Sequence, residues 1–248
     1  MFQFSSMISN LIIKILRKIK LAVKSFVSRE SAWLYKNRFE RMDANRKDIF
    51  EPSRAAFHLD RYRFALQFVK NKIILDAACG TGYGSRILKD EGEAKMVIGL
   101  DNDFHTVKYA ASKYSSEDII FVNADIAQLP FKDECFQAVV SFETIEHTTS
   151  ENEMLKEIKR ILKTRGQFIL STPNDWGLGE LAPFHVRTYT LEKLKDTISR
   201  YFRLIDIFNQ NSGTKGRKEN HNQPRGIIKT TDENYRLAEC YIVIAEKP

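Results

Sequence analysis

The stretch ILDAACGTGYGSRIL, residues 74–88, decides the fold. An apolar run ends in a carboxylate, Asp76, and glycines follow at 80, 82 and 84 before a helix-forming segment. A strand, a glycine-rich turn and a helix in that order let a backbone approach a nucleotide closely. The dinucleotide fingerprint G-x-G-x-x-G/A requires glycine or alanine where Ser85 stands. The nucleotide is therefore of another kind, or the turn is only a turn.

Outward from this stretch, strand and helix signals alternate. KIILDA, AKMVIGLD, DIIFVNAD, FQAVVSFE and GQFILSTP read as strands. YGSRILKDEG, DFHTVKYAASKY and SENEMLKEIKRILKTRG read as helices between them, the last with a Ser150…Glu153 capping box and a stop at Gly166. TLEKLKDTISRYF is a further helix, FRLIDIFNQ a sixth strand and ECYIVIAEKP a seventh. The last two are separated by a polar loop of about residues 211–234 with no crossover helix, so they are expected to run antiparallel. The expected fold class is α/β, a doubly wound, mostly parallel sheet closed by an antiparallel strand. A helix over SRAAFHLDRYRFALQFV, opened by Pro52 and Ser53, precedes the first strand. The domain is expected over residues 53–248, with 28–52 a linker or cover.

The chain has 248 residues, 43% hydrophobic, which suits one such domain plus an appendage. Its three cysteines, Cys79, Cys135 and Cys240, form no CxxC pair, and a reduced cytoplasmic setting is expected. No HxxxH or HExxH occurs, so no metal site is expected. The net charge of +7 resides in two places. Residues 1–27 carry Lys14, Arg17, Lys18, Lys20 and Lys24 with no acid, and residues 211–230 carry five bases against Glu219, leaving the remainder at −2. That distribution disfavours a nucleic-acid partner. Within residues 7–27, Ile8, Leu11, Ile12, Ile15 and Ile19 share one helical face and the lysines the other. Such an amphipathic helix fits contact with an anionic membrane surface, docking on the domain or a second subunit, or a disordered leader.

Ligands of such sheets bind beyond the carboxyl ends of the strands. After strand one stand Asp76, Gly80, Thr81 and Gly82; after strand two, Asp101 and Asn102; after strand three, Asp125 and Ile126; after strand four, Phe142, Glu143, Glu146 and His147. Asp101, about 21 residues past Gly80, suits the acceptor of two ribose hydroxyls, or else a helix N-cap. Asp125 suits an adenine amine with Ile126 against the ring. Two carboxylates and an imidazole at a strand end are costly to bury without a purpose, although exposed they would form an ordinary acidic loop.

LDAACGTGYG, VIGLDND, NADIAQLPF, FQAVVSFETIEH and GQFILSTPN together resemble class I S-adenosylmethionine-dependent methyltransferases, most closely the small-molecule branch called type 11. The likeness runs over about residues 70–175. It implies a Rossmann-like seven-stranded sheet of order 3-2-1-4-5-7-6, with strand seven antiparallel. It also implies S-adenosylmethionine as cofactor, with Gly80–Gly82 at the methionine part, Asp76 beneath, Asp101 at the ribose, Asp125 at the adenine, and Phe142 and Glu143 near the sulfonium. A positive sulfonium suits a floor of Glu143, Tyr83 and Phe104, and without a pyrophosphate Ser85 is no defect.

An alcohol or phenol acceptor loses a proton on methylation, and His147 and His185 are the candidate bases. Each has a plainer reading, a structural hydrogen bond for His147 and a satisfied loop histidine for His185. PFHVRTYT and RAAFHLDRYRFAL resemble segments of methyltransferases from surface-glycan and O-antigen clusters. On that likeness Arg187 and Tyr189 would contact the acceptor, and Arg61, Tyr62 and His58 would cap the cofactor or acceptor, unless their helix is a plain amphipathic cover. The resemblance implies O-methylation of a sugar or lipid-linked saccharide at the inner membrane face. A quinone precursor, tRNA, or a cofactor-binding relative without turnover are the alternatives; SFET in place of NPPY or DPPY counts against base methylation.

Overall fold

The computed structural model describes residues 42–46, 49–175, 184–213 and 223–248. The expected helix over residues 7–27 and most of the 28–52 segment lie outside the described residues. Helix α1 (Pro52–Ala65) leads through a 3-10 turn into β1 (Ile73–Ala77). There follow α2 (Tyr83–Asp90), β2 (Met96–Asp101), α3 (Phe104–Tyr114), β3 (Ile119–Asn123) and β4 (Phe136–Phe142). The second half holds α4 (Glu151–Ile161), β5 (Leu162–Pro173), α5 (Leu191–Ser199), β6 (Arg203–Asn211), β7 (Gly226–Lys229) and β8 (Cys240–Glu246).

The strands form one sheet in the order β3-β2-β1-β4-β5-β8-β6-β7. β1 through β5 pair in parallel, and β8 runs antiparallel to both β5 and β6. The seven expected strands thus take the expected order, with β8 as the seventh. The eighth is β7, paired antiparallel to the outer edge of β6 within the stretch read as one loop. Gly226–Lys229 has only four residues and no alternating pattern, too weak a strand signal to separate from its polar surroundings.

Alternation along the central strands builds a core on each face. Leu75, Val139, Phe168 and Leu170 pack with Met154, Leu155 and Ile158 of α4 and Leu194 and Ile198 of α5. Ile74, Ala138, Val140 and Ile169 pack on the other face with Tyr62 and Ala65 of α1, Leu88 of α2 and Tyr109 of α3.

Two local expectations change. α4 ends at Ile161, and Leu162 already pairs with Phe136; the register then slips before Gln167 pairs with Ala138. Gly166 therefore stands at the end of a bulge within β5 rather than at the end of a helix. Ser150 is the N-cap of α4, but its side chain makes no capping bond, so no capping box forms.

Candidate active site

The parallel registers bring the carboxyl ends of β1, β2, β3 and β4 to one edge, above which opens a cavity of about 620 Å³. Gly80, Thr81, Asp101, Asn102, Asp125, Ile126, Phe142 and Glu143 all line it, with Tyr62, Tyr83, His58, His147 and His185. Asp76 and Gly82 lie behind this wall.

The glycine turn has distinct needs at each position. Gly82 has φ +85°, and a Cβ there would meet the Phe121 ring at 2.7 Å and Ala110 at 2.8 Å. Gly84 is helical, but its Cβ would fall 1.9 Å from the Tyr62 ring, so its bareness seats α1 against α2. Gly80 has φ +54° and no atom within 4 Å of where a Cβ would be. Since Gly80 lines the cavity, that open space is room for a ligand to lie against the backbone.

Asp76 is buried and accepts from Ser85 Oγ at 2.6 Å and more distantly from Tyr62 Oη at 3.4 Å. Burial pushes its carboxyl up to about 7 against the pull of those hydrogen bonds. Asp101 accepts from the Gly80 amide at 3.1 Å and the Asp103 amide at 3.0 Å, which joins the first two strand-end loops. It is not the cap of α3. Asp103 is, accepting from the His105 and Thr106 amides. Asp125, exposed on the rim, folds its own turn by accepting from the Ala127 amide at 2.9 Å.

Glu143 adopts φ +51°, a left-handed backbone uncommon for a residue with a side chain, and such strain gathers at functional sites. Its Oε1 takes a hydrogen bond from Ser171 Oγ at 3.1 Å and lies 3.2 Å from Arg61 Nη1. Arg61 is fully buried beneath the cavity, its Nε donating to Gln210 at 2.6 Å and its guanidinium over the Phe57 ring. It does not line the cavity, so its place is under Glu143 rather than against an acceptor.

Past Glu143, Glu146 is buried and accepts from Thr172 Oγ1 at 3.1 Å. Burial, then the charge of Glu143, pushes its carboxyl well above the usual range. His147 stands edge-on to His185, with ring centroids 4.8 Å apart, and its Nδ1 is 3.0 Å from the Phe184 carbonyl. Burial, then the charge of His147, lowers the pKa of His185. His58 faces the same cavity, and burial, then Arg61 and Arg54, holds its pKa well below the ordinary value.

Three expected contacts fall elsewhere. Tyr189 is wholly buried in the core, its hydroxyl bonded to Glu151, and Arg187 is paired with Glu151 at 2.7 Å and bonded to the Thr148 carbonyl at 2.9 Å. The two brace α4 instead of facing the cavity. Phe104 is 61% exposed at the start of α3 and does not line the cavity, so the aromatic wall there is Tyr62, Tyr83 and Phe142. Tyr62 crosses Tyr83 and Phe142 edge to face at 5.5 and 5.1 Å. Met42 and Asp43 were absent from the expected site. Met42 lines the cavity and its carbonyl accepts from Thr81 Oγ1 at 2.5 Å, while buried Asp43 accepts from Tyr109 and Tyr114 and pairs with Lys113 at 2.9 Å. An aspartate in a charged, aperiodic stretch carries no signal of this.

A strand-edge crevice with a bare Gly80, a carboxylate at the second strand and an aromatic wall defines a class of nucleoside-binding α/β domain. Residues 75–170 match the family model described as "Methyltransferase domain". Over that stretch the chain is similar to methyltransferase domains, and S-adenosylmethionine is the cofactor that goes with that similarity. The chain is 36% identical over 130 residues to a Mycolicibacterium smegmatis protein named "Probable S-adenosylmethionine-dependent methyltransferase", covering 50% of this chain and 49% of that one. It is 33% identical over 125 residues to the tRNA U34 carboxymethyltransferase of Cellvibrio japonicus, covering 48% and 38%. The chain thus spans about half the length or less of these curated relatives. Among solved structures, an S-adenosylmethionine-dependent methyltransferase from Mesorhizobium loti superposes with a TM-score of 0.60 at 16% identity, covering 79% of this chain and all of that one, which shows the shared fold.

Proposed function

We propose that this chain is an S-adenosylmethionine-dependent methyltransferase that methylates a hydroxyl of a sugar or lipid-linked saccharide, working at an anionic membrane surface through residues 7–27. The observation that carries the first part is the bare Gly80 facing a cavity that Asp101, Asp125, Ile126 and Glu143 share. Gly80–Gly82 would hold the methionine part, Asp101 and Asn102 the ribose, Asp125 and Ile126 the adenine, and Glu143 the region of the sulfonium. Bound there, S-adenosylmethionine supplies an electrophilic methyl group on a good leaving group. What remains for the protein is chiefly alignment, which is worth about 7–11 kcal/mol when nucleophile and electrophile are held in line.

The wall beyond Glu143, formed by His58, His147, Phe184 and His185, is where the acceptor fits. Its imidazoles suit removal of a hydroxyl proton, and His185, kept neutral at physiological pH by its partial burial, can accept one. The exposed Phe184 ring offers an apolar face of the kind that sugars and prenyl chains stack on. Among the described residues no helix is long and apolar enough to cross a membrane; the membrane contact is read from the basic amphipathic sequence pattern of residues 7–27.

Incubating the protein with methyl-labelled cofactor and separate membrane-lipid, glycan and tRNA fractions tests the reading. Label in the lipid or glycan fraction supports it; label confined to tRNA transfers the acceptor to the class of the Cellvibrio relative. His185→Ala should leave cofactor affinity within about twofold and lower turnover about 10²-fold or more.

A further inference from the structure

At the acceptor end of the cavity the two imidazoles stand beside a buried carboxyl, Glu146, that proton removal does not call for. Glu146, His147 and His185 come from two loops 38 positions apart, yet their ligand atoms all lie within 4.8 Å of one another. His147 Nδ1 lies 3.0 Å from the Phe184 carbonyl oxygen, which can only accept. The ring hydrogen of the neutral imidazole is therefore on Nδ1, and Nε2 presents a lone pair. That lone pair stands 4.0 Å from Glu146 Oε1. Oε1 is itself buried and, among the described residues, has no hydrogen-bond partner. A buried, unpartnered carboxyl oxygen thus faces a ring nitrogen across a gap too long for a hydrogen bond between them. A cation between the two, displacing any proton on Glu146, would give both a partner.

We propose that Glu146, His147 and His185 form a divalent-cation site at the acceptor end of the cavity. Two imidazoles and one carboxylate are a donor set for first-row ions such as Mn²⁺, Co²⁺ or Zn²⁺. With bonds of about 2.1 Å, neighbouring ligands stand about 3 Å apart, so the set closes by about 1–2 Å on loading. His147, with 41% of its side chain exposed, has room for that adjustment, and Glu146 is held from behind by Thr172. The Phe184 carbonyl on Nδ1 is the outer partner that fixes the tautomer and orientation of a metal-bound histidine. Three protein ligands leave positions open toward the cavity, where hydroxyl oxygens of an acceptor can enter; with the ion bound the His185 lone pair would be taken, and acidification of the hydroxyl by the ion would replace proton removal by the free imidazole. Glu143 Oε1 is already engaged by Arg61 and Ser171. The absence of HxxxH or HExxH pairs removed local patterns alone; this set is assembled across the fold. The acceptor role rests on the methyltransferase reading, whereas metal binding does not.

The test is a Mn²⁺ titration of the full chain followed by electron paramagnetic resonance of the free ion, with thermal shift by S-adenosylhomocysteine measured on the same samples. One Mn²⁺ per chain is expected, weakened at least tenfold in His185→Ala and in Glu146→Gln, with the S-adenosylhomocysteine shift retained. If Glu146→Gln does not fold, His147→Ala at the exposed side of the set takes its place. Wild-type protein that leaves millimolar Mn²⁺, Co²⁺ and Zn²⁺ free, or variants that bind as tightly as wild type, overturns the site. Metal binding with no response to S-adenosylhomocysteine would leave the site standing and remove the cofactor reading.

Discussion

Ser85 Oγ donates a 2.6 Å hydrogen bond to Asp76 Oδ2, at the position where a dinucleotide fingerprint has glycine or alanine. The serine is thus part of the support of the first strand end. It steadies a carboxylate that sits directly under the glycine turn and is 1% exposed.

Asp76 makes stability depend on pH. Its carboxyl lies at about 7 in the folded chain against an ordinary 3.8, so the folded state holds the proton more tightly than the unfolded one. The contribution is fully favourable below about pH 4 and is lost as pH rises through 7, at about 1.4 kcal/mol for each pH unit between the folded and unfolded values. Urea unfolding at pH 5 and pH 8 should show wild type losing stability relative to Asp76→Asn, by a few kcal/mol. Equal pH slopes in the two proteins would contradict this.

The glycines separate binding from folding. Gly80→Ala meets no protein atom and costs about 1 kcal/mol for its left-handed backbone, but its methyl group enters the cavity. It should fold and lose cofactor affinity. Gly84→Ala drives a methyl into the Tyr62 ring and should lower stability by about 1–3 kcal/mol or more. Denaturation and calorimetry on both variants check the contrast; equal losses of stability would refute it.

Asp43 ties the rim of the cavity to α3. Asp43→Ala removes the acceptor shared by Tyr109, Tyr114 and Lys113 and should destabilise by about 3 kcal/mol. Because Met42 lines the cavity beside it, cofactor affinity should fall as well. Unchanged affinity in a folded Asp43→Ala variant would separate this segment from the site.

The sheet was legible because every central strand is an apolar run bounded by turn residues, and because Asp76, Asp101, Asp125 and Glu143 each stand where such a run stops. Parallel pairing then places those residues together with no further information. What escaped depends on choices that side chains make among close alternatives. Asp101 and Asp103 are two residues apart and both able to cap, and only the turn geometry assigns the cap to Asp103. Tyr189 and Arg187 sit beside His185 in sequence, yet they turn toward Glu151 and brace α4. Glu146 and His185 meet through a loop whose path no local pattern announces. Arg61 is charged on a helix read as amphipathic, and its burial follows from Glu143 and Gln210, 82 and 149 residues away.

The central claim is that the crevice above β1 and β2 takes an adenosyl group joined to a sulfonium rather than a paired-phosphate cofactor. Isothermal calorimetry of the wild type and of Asp101→Ala, with S-adenosylhomocysteine and with NAD⁺, tests it most directly. The account predicts heat from S-adenosylhomocysteine alone, with affinity lowered about 10- to 100-fold in Asp101→Ala, as expected on removing a charged hydrogen-bond acceptor. Binding of NAD⁺ with no heat from S-adenosylhomocysteine would contradict it.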